Sequence, residues 1–355
     1  MTNRTMNAGV ENNNGMALQR NTAIFLLLDN YLEKFQNKEY FVCLEHHDDF
    51  LFCFLNEKEE ADIIEAYQSK KKGSDIWRLN KELCGIITKL LETGNELIKD
   101  EIPKSIAYNH LLFFSSNQII NLKVINENVV INDGNELVLF NTLPQSIQNR
   151  ISSQILNNKL HAELENLKFI YIPFTQVYKE QIIHLEGKIK DVFKDKIFDG
   201  NAAIKPLIHL FLEKENVKNQ RNKVKLLDQS KRINSSDIND VIKLITTKAK
   251  CFNYWHKQEI EIAKILRIRP LEREQFQLDF RTAFDLFKSI NEREHKKILN
   301  FVKDEISNIT TYSNEENVNE LFRLFKCSIK TNFTELQLKA ILFAALFEVL
   351  YLKDN

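Results

Sequence analysis

The sequence predicts an α/β N-terminal half followed by a mostly helical C-terminal half. Between residues 39 and 55, two nearly continuous apolar runs, YFVCL and FLFCFL, are separated only by Glu45-His46-His47-Asp48-Asp49. Their aromatic and β-branched content favours two buried strands over a helix. Just before them, residues 17–35 carry apolar side chains at helical spacing, and beyond about residue 200 that spacing becomes almost universal. A 43% hydrophobic and 28% charged composition with 25 phenylalanines is that of a globular chain. At 355 residues it has room for two domains, each with its own core.

Taken in order, residues 1–15 (MTNRTMNAGVENNNG) are Asn-rich and predict a mobile tail, and the helix over 17–35 bears Gln19. Two strands follow, then a polar loop at 56–60 and a third strand at 62–70 closed by Gly73-Ser74. Residues 77–98 predict a helix, 106–115 a strand, 129–139 a hairpin turning at Asn132-Asp133-Gly134, and 167–173 another strand. A boundary near 195–203 would divide a domain at 16–195 from a helical one at 200–355. In the latter, Ser235-Ser236-Asp237 caps a helix carrying Ile238, Val241, Ile242 and Ile245, and Pro270 ends the helix through 260–268. Later helices are expected over roughly 273–308, 316–328 and 334–352.

Forty-nine basic and 49 acidic side chains cancel, so no whole-chain field draws this protein to nucleic acid or membrane. The N-terminus lacks a signal peptide's apolar stretch, and the run 336–352 is interrupted by Lys339 and Glu348, against a membrane span and for a buried or partner-facing helix. Cys43, Cys53, Cys84, Cys251 and Cys327 are odd in number and form no C-x-x-C pair, so they read as reduced core cysteines of a cytoplasmic protein. With eight glycines and neither G-x-x-x-x-G-K nor G-x-S-x-G, the chain supplies no phosphate loop or serine nucleophile. ATP chemistry would have to come from a partner.

The chemistry-bearing residues gather at one end of the strands. With the second and third strands as a hairpin centred near Lys58, Asp49 stands opposite Tyr67 or Gln68. Alternation puts Ile64, Ala66, Gln68 and Lys70 on one face and Glu65, Tyr67 and Ser69 on the other, making Glu65 a solvent or packing contact. Phosphodiester hydrolysis needs a hard cation on oxygen ligands, which Asp49, Glu45 and the Gln68 carbonyl oxygen would provide. An ammonium beside it, Lys70, would neutralise growing phosphate charge and orient the water. Adjacent His46 and His47 diverge on a strand, and no further His or Cys stands at zinc-ligand spacing.

An acid followed one strand later by Q-x-K resembles the core of the PD-(D/E)xK nucleases, and the order helix, three strands, helix, strand matches as well. More narrowly, Gly15-Met16-Ala17-Leu18-Gln19, Glu45-His46-His47-Asp48-Asp49 and Glu65-Ala66-Tyr67-Gln68-Ser69-Lys70 resemble the double-strand DNA endonuclease domain of bacterial anti-phage effectors. That domain occurs in the CBASS endonuclease fused to a SAVED sensor and in the nuclease subunit of Lamassu systems. The resemblance spans residues 15–180 and implies an α/β fold with a restriction-endonuclease-like αβββαβ core. It further implies Mg2+ (or Mn2+) on Asp49, Gln68 and Glu45, catalysis by Lys70, and additional site positions at Gln19 and Asp48. Double-stranded DNA is the implied substrate. Read from the residues alone, Lys71 and Lys72 either form a solvated basic edge that guards against strand aggregation or touch DNA phosphates.

Glutamine in place of the superfamily's usual acid leaves one fewer negative charge on the metal. The helical C-terminal half departs from a SAVED module. It fits a Lamassu-like arrangement, in which an SMC-like ATPase and an accessory subunit hold the nuclease inactive and the helical domain docks partners or forms a homo-oligomer. Between residues 214 and 257, 11 Lys or Arg stand against four Asp or Glu, with Phe252, Tyr254 and Trp255 at one end. That is either a DNA-holding surface or a solvated helix face over core aromatics. The rival reading of the whole chain is a catalytically inactive nucleic-acid-binding or scaffold subunit.

Overall fold

The two apolar runs beside Glu45 and Asp49 are strands in the computed structural model, which describes residues 8–46, 48–70, 76–175, 177–197, 199–217, 226–288, 293–309 and 313–352. Helix α1 (Ala8–Asp29) comes first and passes into a π-helical turn over Tyr31–Phe35. It starts inside the stretch expected to be a tail, because extending a helix whose later turns are packed costs far less than nucleating one. Strands β1 (Glu39–His46), β2 (Asp48–Leu55) and β3 (Ala61–Ser69) are antiparallel neighbours, with Phe50 opposite Tyr67. The Asn56 side chain closes the β2–β3 loop by accepting from the Lys58 and Glu60 N–H groups at 2.9 and 3.0 Å.

Trp77 lies in a short strand, β4 (Ile76–Arg78), and the helix expected from 77 starts later, as α2 (Lys81–Lys99). The reason is local: Asn80 is the N-cap, its side chain accepting from Leu83 N–H, while the Trp77 indole is committed to Ser116. Strand β5 (Lys104–Ser116) runs parallel to β3. The hairpin expected at 129–139 is displaced. Its first arm, β7 (Glu127–Ile131), pairs backward with β6 (Ile119–Val124), and β6 pairs with β4 in a separate three-stranded sheet. Asn132 and Asn135 do form a turn, but it delivers β8 (Leu137–Leu139) to the main sheet. After α3 (Gln145–Ser152) and a 3-10 helix over Asn158–Asn166, β9 (Leu167–Tyr171) pairs parallel to β5.

Beyond α4 (Tyr178–Phe193) the chain does not become purely helical. Helix α5 (Gly200–Glu215) is followed by β10 (Arg232–Asn234), which pairs with the outer edge of β1. The main sheet thus has seven strands, in the order β10-β1-β2-β3-β5-β9-β8. Its two faces follow the period-two alternation. One carries Cys43, Leu51, Cys53, Ile64, Ala66, Leu112 and Phe114 against Leu83, Ile87, Leu90 and Leu91 of α2. The other carries a run of rings, Phe52, Phe50, Tyr67 and Phe113, joined by Phe35 of the π-helical turn.

Under α2, His110 Nε2 lies 2.6 Å from Glu163 Oε2, and Asn166 bonds the same carboxylate oxygen at 3.2 Å. Gly94 makes room for this: a Cβ there would sit 2.6 Å from Glu163 Oε2 and 2.8 Å from Leu112 Cδ1. Because the carboxylate is already held in place, Gly94→Ala is expected to cost about 1–3 kcal/mol by overpacking. A urea-unfolding midpoint equal to that of the wild type would refute this reading.

The chain divides into two compact units, 1–192 with 200–239 and 193–199 with 240–355. The chain thus passes between the units at 192/193 and 199/200 and again after Asn239, and α5 and β10, expected in the helical domain, belong to the first unit. Helix α6 (Ser235–Ile265) starts in the first unit and supplies the second from Asp240. In the second unit, the stretch expected as one helical region over 273–308 is α7 (Arg273–Lys288) and α8 (Arg293–Glu305), followed by α9 (Asn314–Ser328) and α10 (Glu335–Leu352). Helix α10 is the centre of that bundle, with residues 338–349 all buried against α7, α8 and α9. Trp255 is fully buried, and Phe252 and Tyr254 pack on the same core, so the aromatics near the basic stretch are core residues. Among the described residues, no helix is long and apolar enough to cross a membrane. All five cysteines are free. Four are buried, whereas Cys327, on the outer side of α9, is exposed and not a core residue.

Candidate active site

The end of the sheet where β2 begins and the parallel strands β3, β5 and β9 finish collects the polar residues singled out above. Asp49 and Gln68 share the face that carries Leu51, Cys53, Ile64 and Ala66, as period-two alternation requires. The Asp49 carboxylate accepts the Ser69 backbone N–H at 2.7 Å, and Lys70 Nζ lies 3.3 Å from each of its oxygens. The Gln68 side chain is within hydrogen-bonding reach of the same carboxylate. The Asp49 side chain is only 11% exposed, whereas that of Lys70 is 34% exposed, so a carboxylate anchored at depth carries an ammonium group toward solvent.

Burial pushes the Asp49 carboxyl above the usual carboxylate range, and Lys70, Gln68 and the Ser69 N–H together offset only part of that. A cation would supply what is missing, and an oxygen donor set of carboxylate plus amide suits a hard one. Among the described residues, no three His, Cys, Asp or Glu converge, so a metal here would lean on Asp49 and the Gln68 amide. The side chains of Glu45 and Asp48, and Lys71 and Lys72 entirely, lie outside the described residues. The backbone at Glu45 is the end of β1, with His46 paired to Asp48 across the connection.

Ser115 and Ser116 hold this end of β3 in place, and sequence reasoning missed both. Lys70 N–H donates to Ser115 O at 3.0 Å, continuing the ladder past the last residue of β3. The Ser116 hydroxyl donates to Lys70 O at 3.0 Å and accepts from Trp77 Nε1 at 3.0 Å and Gln118 N–H at 3.1 Å. Its donor and both lone pairs are thus used, which fixes the Lys70 backbone. The signal in the sequence was the paired hydroxyls closing the apolar run HLLFF.

Gln19 lies on α1. Lys34 and Phe35, at the far end of that helical segment, contact Glu65 and Phe52 on the second face. Running back from Phe35 to Gln19 at about 1.5 Å per residue covers roughly 24 Å, close to the length of β3. Asn21 is tied to Gln181, which donates to Thr175 O beyond the end of β9, both at 2.9 Å. Gln19 therefore sits toward the Ser69 end of the sheet, and its Oε1 is closed off from solvent with no hydrogen-bond partner among the described residues. Glu65 faces away from Asp49 as alternation requires, but it is neither solvated nor apolar in its contacts. It is buried with Lys34 Nζ at 2.5 and 2.6 Å and the Tyr67 hydroxyl at 3.1 Å.

Comparison with protein-family models, with curated proteins and with solved structures finds no match to this chain.

Proposed function

We propose that this protein is a metal-dependent endonuclease of double-stranded DNA, built on a restriction-endonuclease-like core. The observation that carries the reading is a deeply set carboxylate, Asp49, flanked by the Gln68 amide and held between Ser69 N–H and the Lys70 ammonium. The order α1, β1, β2, β3, α2, β5, interrupted only by short β4, supports it. Sites of this kind lie beyond the carboxyl ends of parallel strands, as this one does.

A bound Mg2+ or Mn2+ would supply Lewis acidity toward the scissile phosphodiester. Asp49 and Gln68, with Glu45, are the residues to hold it. Lys70 places a positive charge where phosphate charge grows and orients the attacking water, and its position is fixed by Ser116 through the backbone. Asp49 takes up part of that ammonium's charge while no substrate is present. An unrestrained enzyme of this kind would damage its own genome. A role as the effector of a bacterial anti-phage system follows, cytoplasmic and held by an SMC-like ATPase and an accessory subunit until triggered. The helical unit is the docking and oligomerisation element in this reading.

Linear plasmid DNA with Mg2+ or Mn2+ is expected to be cut by the wild type, and EDTA is expected to stop it. Lys70→Ala should cut at least about a hundredfold more slowly. Equal rates for the two proteins under every metal and partner condition would overturn the assignment. Gln68 standing where an acid is usual favours one second reading, a fold that binds nucleic acid without cutting it. That reading expects duplex binding with no dependence on metal.

A further inference from the structure

We propose that the groove around Ile329, in the second compact unit, docks an acidic segment of a partner protein that carries bulky apolar anchors between its carboxylates. The proposal rests on the part of the reading above that makes the helical unit the docking element, and it gives the chemistry of what docks there.

Two clefts meet at Ile329, the residue that follows α9. One, of about 540 Å3, lies between the end of α9 and the start of α10, and the other, of about 490 Å3, lies along α8. Arg293, Lys296, Lys297, Asn300, Phe301 and Asp304 line the second. That spacing is one face of a helix, and from Arg293 to Asp304 it runs about 16 Å. An extended peptide of about five residues covers the same length. A small molecule would fill one cleft and leave the other open.

The floor and the rim differ in chemistry. Phe301, Phe322, Ile329 and Phe333 form the floor, each half-buried and packed on the second core from beneath. The rim carries Arg293, Lys296, Lys297, Lys326 and Lys330. Among the described residues only Lys326 of these has an ion pair, at 3.8 Å to Glu335, and Glu335 is held more closely by Lys339 at 2.9 Å. The other acids lining the clefts are Glu294 and Asp304, and neither pairs with a rim cation among the described residues. Positive charge is thus in surplus here, in a chain whose charges cancel overall.

An apolar floor inside a charged rim is the anatomy of a protein interface, where a few buried anchors carry most of the affinity and the polar edge sets the choice of partner. Lys and Arg stems lie along apolar surface and bring their charged heads over a bound chain. Duplex phosphates would engage the rim alone and leave four large apolar side chains facing water. An uncharged apolar segment would engage the floor alone. Carboxylates flanking Phe or Leu anchors use both.

The test measures binding of a fluorescent peptide, in which Phe and Leu alternate with Asp and Glu, to the full-length protein. Saturable binding that weakens as salt is raised is expected. A peptide with Asn and Gln in place of the acids, and one with Ser in place of the anchors, should each bind at least about tenfold more weakly. The double variant Lys297→Glu with Lys330→Glu changes two exposed side chains, one in each cleft, and should melt like the wild type while losing at least about tenfold in affinity. Lys264→Glu with Arg281→Glu, the same change of charge at exposed positions outside both clefts, should bind the peptide as the wild type does. No binding of the acidic peptide, equal binding of its neutral counterpart, or an equal loss in the two double variants would overturn the proposal. So would a duplex oligonucleotide of matched charge that displaces the peptide more readily than unlabelled peptide does, which would make the groove a nucleic-acid contact. Cleavage of linear plasmid by the same preparations is read separately. A protein that cuts DNA but ignores the peptide loses only this inference, whereas one that binds the peptide in this groove and never cuts DNA keeps the docking surface and loses the nuclease reading.

Discussion

Asp49→Asn is expected to lose at least about a thousandfold in DNA cleavage and at the same time to melt higher than the wild type at neutral pH. The two effects share one cause. Burial raises the Asp49 carboxyl's pKa, so the folded protein binds that proton more tightly than the unfolded chain does. The stability contributed by protonation is complete below the ordinary aspartate value of about 3.9 and is lost as pH rises through the raised one. At pH 7 the ionised group is a net burden on the fold, and asparagine removes it. Asn Oδ1 can still accept from Ser69 N–H. The stability gap between variant and wild type should therefore close as pH falls toward 4 and open as it rises. Mg2+ should narrow it from the other side by stabilising the wild type alone, by about 2.7 kcal/mol at a hundredfold excess over its Kd. Thermal melts at several pH values, with and without Mg2+, read all of this. A variant that melts lower at pH 7 and gains equally from Mg2+ would mean that Asp49 is an ordinary structural carboxylate.

The largest purely structural loss is expected at Arg20. Its guanidinium meets Glu215 Oε2 at 2.5 Å, with the two side chains 7% and 4% exposed, so the pair is deeply buried between α1 and the last turn of α5. Arg20→Met breaks this buried ion pair and should cost about 3–5 kcal/mol. Arg20→Met combined with Glu215→Leu should recover most of that, because a packed apolar pair replaces a desolvated ionic one. Urea unfolding of both proteins separates the possibilities. A double variant as unstable as the single one would show that the polar groups around this pair, and not the broken ion pair itself, set the cost.

How much of this was legible in the sequence differs sharply between site and fold. The meeting of Asp49 with Gln68 and Lys70 follows from hairpin geometry alone: the loop centre fixes the register, and the two-residue period puts Gln68 and Lys70 on one face. Counting leaves Asp49 opposite Tyr67 or Gln68, and Phe50 opposite Tyr67 is the register that puts it beside Gln68. Ser115 and Ser116 were not legible in their role, because a parallel neighbour far along the chain leaves no mark in local periodicity. Neither was β10. Three residues, Arg232–Asn234, are too few to show alternation, and what makes them a strand is the open edge of β1 together with Arg232 stacked 4.1 Å over the Phe41 ring. The membership of α5 was illegible for the same reason. Helical spacing over 200–215 does not say which core α5 joins, and Arg20 with Glu215 decides it. Trp77 was read into a helix because its neighbours alternate too briefly, whereas the Asn80 cap, which does stand in the sequence, marks where the helix begins.

The position of β10 bears on how this chain is made. A ribosome adding about 5–20 residues per second needs roughly ten to forty seconds to pass from β1 to the strand that closes its edge. Through that interval the nascent chain carries an open row of backbone donors and acceptors on YFVCL, one of its most apolar segments. Such an edge invites pairing with another unfinished copy on the same messenger. The yield of folded protein in the cell should therefore depend on how densely ribosomes load that messenger and on whether a chaperone covers β1 until residue 234 emerges.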